Sequence, residues 1–307
     1  MSTYSLPSGI DIFERGWLSA NSILLHGEHD VSLVDTGYCA HHQMTVDLVS
    51  KALDSHQQSS LHKIVNTHLH SDHCGGNAAL LQKFGSAIYV PQAQYAAVND
   101  WNESLLSFQA LGQECPRFVA QETLIPGQVI TLGQYEWNIL AAPGHDPHSI
   151  MLYQPDHQIL ISADALWERG FGVVFPELWG EGGFEEVMQT LQLIERLPIA
   201  LVIPGHGKPF VDVAGALDNA KSRLTYLSGD PKRNAQHGAK VLLKYKLLEW
   251  RKKDLCLVED WIRETPILSA CAHYLGMNLD ELMVWLPRAL VSAGAAQIVQ
   301  GQLVNVD

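Results

Sequence analysis

Between Ile64 and Asn77 the chain reads IVNTHLHSDHCGGN, which places four metal-ligand types, His68, His70, Asp72 and His73, within six positions directly after an apolar run. Imidazole nitrogen and carboxylate oxygen are the donors that zinc and similar divalent cations accept, provided they converge on one point. The apolar run reads as a strand ending near Thr67, so the donors lie on a strand-to-helix loop. There His68 and His70 can serve one ion while Asp72 and His73, entering the helix, turn toward another. Gly75 and Gly76 would let the backbone pass close to that centre. Most of the fifteen histidines, among them His26, His56 and His237, read as ordinary solvated or core residues. Four donor types at one strand end have little structural use of that kind.

Three further donors stand where buried strands emerge: His145 in AAPGHDPHS, Asp164 in ILISADALW and His206 in LVIPGHGKPF. Each alone would pass for a turn or cap residue. Open α/β sheets, however, place their sites at strand ends. With the first four they make seven donors, enough for two ions with Asp164 shared.

The ordered set, with LVDTG upstream, resembles the metallo-β-lactamase superfamily of metal-dependent hydrolases over about residues 17 to 211. That resemblance implies an α/β fold, a four-layer αβ/βα sandwich with a binuclear centre at one edge. By position, His68, His70 and His145 would hold the first ion, Asp72, His73 and His206 the second, and Asp164 would bridge. Asp35 matches the family's aspartate that orients ligands around the site. Two divalent ions are implied, zinc first, with iron or manganese as alternatives. They would activate a bridging hydroxide against an ester, thioester or lactone carbonyl, with Asp72 orienting it as well as ligating. The family's zinc β-lactamases lack a carboxylate at the Asp164 position, whereas its thioesterase, lactonase, phosphodiesterase and ribonuclease branches have one. Antibiotic hydrolysis is therefore not expected, and the loop looks most like the glyoxalase II version. His148 is a candidate proton donor to the leaving group, although the family usually has a glycine near this position and a surface-loop histidine is the plainer reading. Cys74 is not needed once seven positions are filled. Trp167, Phe171 and Trp179 either wall the substrate pocket or form core beneath a loop.

These donors need a scaffold, and the text supplies one. NSILLHG and VSLVDTG read as adjacent strands across a GEHD turn, HHQMTVDLVSKAL as a helix with Met44, Val46, Val49 and Leu53 on its apolar face, and GGNAALLQKFG as a short helix closed by Gly85. QYAAVNDWNESLLSFQALGQ reads as an inserted helix. After about Asp212 helices dominate: AQHGAKVLLKYKLLEWRKKD, a stretch broken at Pro266, and one capped by Asn278, before two short strands around Gln300-Gly301. The division predicted is a catalytic domain over 1–212 and a helical, winged-helix-like domain over 213–307. The second would cover the site or mediate a homodimer.

Composition limits the function classes. A chain of 307 residues that is 47% hydrophobic affords a sizeable core, and its formal charge of −13 repels nucleic acid and anionic lipid unless charge is segregated. Five scattered cysteines, no signal-like N-terminus and no long apolar run predict a reduced, cytoplasmic protein without a membrane segment. Charge is segregated in one place: residues 221 to 253 hold ten Lys and Arg against Asp230 and Glu249, a local excess of 10 − 2 = 8. This stripe is either a solvated helix face, a seat for an anionic small-molecule substrate, or the nucleic-acid contact of a phosphodiesterase or ribonuclease. Asp280 and Glu281 at the start of the last helix oppose DNA reading, and the small anionic substrate ranks ahead of RNA. A metal-bound effector without catalysis is the remaining alternative; the loss of a ligand would favour it, and all seven are present.

Overall fold

The computed structural model describes residues 4–307. Two sheets lie face to face. The first has the order β1 (Ile10–Phe13), β2 (Ser22–His26), β3 (Val31–Val34), β4 (Lys63–Val65), β5 (Ala87–Pro91), β6 (Glu122–Leu124), antiparallel as far as β3 and parallel beyond it. The second runs β11 (Leu201–Pro204), β10 (Ile159–Ala163), β9 (Ile150–Gln154), β8 (Tyr135–Ala141), β7 (Val129–Leu132). Successive side chains of a strand point to opposite faces, and in β2, β3, β9, β10 and β11 both faces are covered. Ile23 and Leu25 of β2, with Ile159 and Ile161 of β10 and Leu201 and Ile203 of β11, fill the space between the sheets. Their neighbours Leu24, Leu160 and Val202 point outward into helix-covered cores. Strands buried on two sides are therefore largely apolar rather than alternating.

The outer layers follow the same logic. On the first sheet pack α1 (His42–Ser55) and α3 (Asn77–Phe84), with the one-turn α2 (Ser71–Cys74) between them in sequence. In α1 the buried side is Thr45, Val46, Val49, Ala52 and Leu53, while Met44, expected on that face, is exposed. The expected inserted helix is instead a chain of short turns, α4 (Tyr95–Asp100) and α5 (Glu103–Leu106) among them. Left-handed backbone at Trp101 (φ 51°) and Ser107 (φ 63°) ends each one, which the apolar pattern does not reveal. On the second sheet pack α7 (Phe184–Glu195) and α8 (Val213–Ser228), while the one-turn α6 (Pro176–Trp179) buries Leu178 among the C-terminal helices. The four layers are those of an αβ/βα sandwich.

The limit drawn at residue 212 falls at the N-cap of α8, and the cores divide elsewhere. Ala216, Leu217, Ala220, Leu224 and Leu227 of α8 join Leu191, Ile194 and Val202 in the core of the second sheet. A separate core begins with α9 (Pro231–Trp250) and takes in α10 (Leu255–Glu264), α11 (Pro266–Leu275) and α12 (Leu279–Ser292). The change of core thus lies at Gly229–Asp230, where Asp230 caps α9 by accepting from the Lys232 amide. α9 ends four residues earlier than its charge pattern suggests: Arg251 is left-handed (φ 62°) and 252–254 form β12 (Lys252–Asp254). That strand completes an antiparallel sheet of order β12-β14-β13 with β13 (Ala296–Val299) and β14 (Gln302–Asn305). The Asn278 cap of α12 is a full capping box with Glu281.

No helix among the described residues is long and apolar enough to cross a membrane.

Candidate metal centre

The ends of β3, β4, β10 and β11 meet at one edge of the sandwich and bring the seven donors together. His68 and His70 leave β4, and α2 carries Asp72 and His73. His145 precedes β9, Asp164 follows β10 and His206 follows β11. Ligand atoms of His68, His70 and His145 fall within 4.8 Å of one another, as do those of Asp72, His73 and His206, and those of His68, His73 and Asp164. Asp164 lies between the two outer groups: its Oδ1 is 3.4 Å from His73 Nε2 and its Oδ2 3.3 Å from His145 Nε2. Five of the seven are histidines and all are largely buried.

The surroundings aim the ring nitrogens. Asp35 Oδ2 accepts from His73 Nδ1 at 2.7 Å, and the Val173 carbonyl accepts from His145 Nδ1, so both rings turn Nε2 inward. Fixing one ring nitrogen in this way sets the tautomer and frees the other. Asp35 also accepts from the amide and hydroxyl of Thr67 at 2.9 and 2.8 Å, and it holds a left-handed backbone (φ 56°) at the end of β3. Asp tolerates that conformation better than most residues. Ala163, directly before Asp164, is also left-handed (φ 46°). The carbonyl of His73 receives the Thr36 amide at 2.7 Å and the Asn66 side-chain amide at 3.2 Å, which fixes α2 against the sheet.

Electrostatics favour cations here. Burial, reinforced by His73 and His70, pushes His68 far down, and burial with His145 pushes His70 down to about 4. Burial opposes the charged form of His73, but Asp35, Asp164 and Asp72 outweigh it and hold this imidazole well above its ordinary value. Burial likewise works against ionising Asp164, yet His73 and His206 keep it well below the carboxylate range. His70 Nδ1 is 2.8 Å from His145 Nε2 and 3.1 Å from His68 Nε2, and His73 Nε2 is buried without a hydrogen-bond partner. Imidazole lone pairs brought this close repel unless a proton or a metal ion lies among them, and an orphaned buried nitrogen is costly. The donor set therefore suits divalent metal ions.

A cavity of about 80 Å³ opens onto the cluster, walled by Trp17, Trp167, Val173, Phe175, Leu242 and Tyr245. Trp17 stacks on His206 (ring centroids 5.4 Å apart, 10° between planes) and is 59% exposed, which puts it at the mouth. Leu242 and Tyr245 come from α9, so the C-terminal unit closes one side. Of the three aromatic residues singled out in the sequence, Trp167 lines this space, Phe171 is core and Trp179 is exposed on the surface.

Other expectations need correction. His148 is exposed and does not line the cavity; its backbone amide caps Asp146 Oδ1 at 2.7 Å, a turn role. Gly75 and Gly76 serve approach to the loop after β3 rather than to the donors: a Cβ on Gly75 would lie 2.4 Å from the Cys39 nitrogen, and one on Gly76 2.5 Å from the Thr36 carbonyl. The glycines that approach the donors are Gly172, whose Cβ would meet the His145 ring at 2.4 Å, and Gly205, whose Cβ would meet Asp164. Gly205 directly precedes His206 in LVIPGHGKPF, whereas Gly172 carries no local sequence signal. The basic stripe is largely committed to structure. Lys244 Nζ donates to the Ala295 and Val306 carbonyls and to Asn305 Oδ1, Lys246 pairs with Glu249 at 2.8 Å, Arg251 pairs with Asp307, and Arg223 donates to His237. No Lys or Arg lines the cavity.

Comparison with known proteins agrees with this architecture. Hydroxyacylglutathione hydrolase of Bdellovibrio bacteriovorus is 30% identical over 135 residues, covering 44% of this chain and 44% of that protein, and the Brucella ovis enzyme of the same name is 27% identical over 44% and 43%. The match thus spans less than half the length of these relatives. Among solved structures, a metallo-beta-lactamase family protein from Thermus thermophilus superposes with a TM-score of 0.60 at 17% identity over 98% of this chain and 100% of that one. The B3 metallo-beta-lactamase BLEG-1 gives 0.56 at 21% identity over 68% and 96%. The model of the metallo-beta-lactamase superfamily matches residues 15–206, well over half of the sequence and all seven donors, so the chain belongs to that superfamily.

Proposed function

We propose that this protein is a binuclear metal-dependent hydrolase of an ester, thioester or lactone with an apolar acyl part. The observation that carries the reading is the convergence of two three-donor groups on Asp164 beneath an aromatic-walled cavity. His68, His70 and His145 would hold one ion, Asp72, His73 and His206 the other, with Asp164 shared. Two such ions supply Lewis acidity, which lowers the pKa of water and polarises a carbonyl. Zinc suits the nitrogen-rich set, and iron and manganese remain within its chemistry.

The chain's own residues do the rest. Asp35 and the Val173 carbonyl keep His73 and His145 as inward-facing donors. Asp72, whose Oδ2 is 3.1 Å from His206 Nε2, is ionised: burial opposes this, and His73 and His206 prevail. Its carboxylate can hold a proton-bearing nucleophile in place beside the cavity. Trp17, Trp167 and Phe175 exclude water and offer apolar faces to an acyl chain. Tyr245 reaches the cavity from α9, with its hydroxyl 3.4 Å from Ser71 Oγ, and burial with Asp72 nearby keeps it protonated, so it can donate a hydrogen bond. It replaces His148 as the residue placed to meet a leaving group. We place the division between units at Gly229–Asp230, the second being winged-helix-like from its helices α10 to α12 and the β12-β14-β13 sheet, with α9 as the cover of the site. The hydroxyacylglutathione hydrolase relatives favour a thioester among the three bonds.

A panel of thioesters, lactones, phosphodiesters and RNA, assayed on metal-replete protein and on His70→Ala, tests this. Carbonyl-ester turnover that His70→Ala abolishes is expected. Cleavage of RNA or of a phosphodiester without any carbonyl ester would contradict it.

A further inference from the structure

We infer that Asp11, His26 and His56 form an additional transition-metal site at the end of the first sheet remote from the seven-donor cluster. His26 ends β2 and Asp11 lies opposite that strand in β1, paired with Leu24, while His56 caps the C-terminus of α1. The other end of β2 adjoins Asn21, whose amide nitrogen donates to the Gly205 carbonyl beside His206. Five strand residues separate these ends, roughly 16 Å at about 3.3 Å per residue.

The ring of His26 has a fixed orientation. Gln58 Nε2 donates to the Gly27 carbonyl at 2.8 Å, which leaves Gln58 Oε1 as the acceptor facing His26 Nδ1 at 2.6 Å. Nδ1 therefore carries the hydrogen, and Nε2 turns to Asp11 Oδ2 at 3.0 Å. His56 Nε2 is 3.4 Å from the same oxygen. The two rings stack with centroids 3.8 Å apart and 18° between planes. Because an imidazole binds a metal in its own plane, a shared ion requires the more exposed His56 ring to turn out of this stack, which its position at the end of α1 allows. All three donor atoms fall within 4.8 Å of one another. Tetrahedral zinc with bonds of about 2.0–2.1 Å sets its ligand atoms roughly 3.3 Å apart, which the 3.0 and 3.4 Å separations match.

The group has the makings of a built site. His26 is 5% exposed and backed by a hydrogen-bonded amide, the outer partner that metal-bound imidazoles usually have. Asp11 and His56 are each 39% exposed at the side chain, which leaves an entry path and a coordination position for water. A cation shared by the two Nε2 atoms and the Asp11 carboxylate would satisfy all three groups at once. Zinc is the fitting ion for two nitrogens, one carboxylate oxygen and a water. It would tie β1 and β2 to the end of α1, a structural task away from the chemistry.

The test is zinc per chain after equilibration with zinc and removal of the excess, measured by mass spectrometry on the wild type, His56→Ala and Asp11→Asn. Each variant should hold one equivalent less than the wild type, whatever number the seven-donor cluster retains, and its hydrolytic activity should be unchanged. His70→Ala should keep this equivalent, which separates the inference from the proposed function. The zinc-dependent rise in melting temperature should shrink in both variants, and the exposed His56 makes misfolding of His56→Ala no obstacle. Equal zinc content in wild type, His56→Ala and Asp11→Asn would overturn the assignment and leave a hydrogen-bonded His-Asp group that holds only protons.

Discussion

Replacing Gly205 with alanine puts a methyl carbon 2.4 Å from Asp164 Oδ1 and 3.0 Å from His73 Cε1. Ordinary contact begins near 3.4 Å, so about 1 Å of movement is needed, and the backbone cannot supply it. The Gly205 amide donates to the Ala163 carbonyl at 2.7 Å, and its carbonyl accepts from Asn21 at the same distance. The strain falls on the Asp164 carboxylate, which is 4% exposed and has nowhere to retreat. Overpacking of this kind costs about 1–3 kcal/mol, and a 1 Å misplacement at a reacting centre costs roughly 10²-fold in rate. We expect Gly205→Ala to lower zinc affinity by about 10–100-fold, on the scale of disturbed metal-site supports, with a comparable or larger loss of kcat/KM. Gly16→Ala is the control, since a Cβ there meets nothing within 4 Å. Competition with a chromophoric chelator and thermal unfolding measure both effects. Zinc affinity and melting temperature both matching those of Gly16→Ala would refute the reasoning, because Asp164 would then not be held where the geometry puts it.

Asp35→Asn removes the carboxylate that aims His73 and should weaken zinc binding about 10–100-fold with the fold intact by circular dichroism; unchanged affinity would show that Asp35 serves only the turn after β3. Lys244→Met strands two carbonyls and the Asn305 amide oxygen and should cost about 1–3 kcal/mol of stability with KM unaltered, whereas a raised KM at unchanged stability would restore the stripe as a substrate seat. His237, pushed down to about 3 by burial and by Arg223 beside it, is neutral in the folded chain. The unfolded chain binds a proton near pH 6.5, so the stability tied to His237 is complete above that pH and drains away as pH falls toward 3. His237→Gln should flatten the acid limb of a melting-temperature profile between pH 6.5 and 4, and an identical slope would contradict this.

The donors were legible in the sequence because their signal is local. A ligand type directly after an apolar strand can be recognised at Thr67-His68 or Ala163-Asp164 without knowing where the strand lies. The strands themselves are legible since burial on both faces makes ILI and LVIP continuously apolar. What surrounds the donors was not, because it comes from distant parts of the chain. Trp17 and Tyr245 stand 228 positions apart and meet only across the cavity mouth. Asp11, His26 and His56 look like unrelated residues until β1, β2 and the end of α1 converge. Charge misled in the same way: Lys244 looks solvated on a helical wheel, and only the return of β14 gives it three acceptors. The limit near 212 followed a change in composition, yet α8 is a helix that packs on a sheet formed earlier in the chain, and helix content cannot tell which core a helix joins. His148 fits the plainer of its two readings, a surface-loop histidine: it is exposed, and its backbone amide donates to Asp146 Oδ1.

The most direct measurement for the central claim is anomalous diffraction at the zinc edge from crystals of the zinc-replete protein. Two peaks among the seven donors are predicted, one enclosed by His68, His70 and His145 and one by Asp72, His73 and His206, with Asp164 touching both. A single peak, or density that leaves either three-donor group without an ion, would contradict the binuclear account.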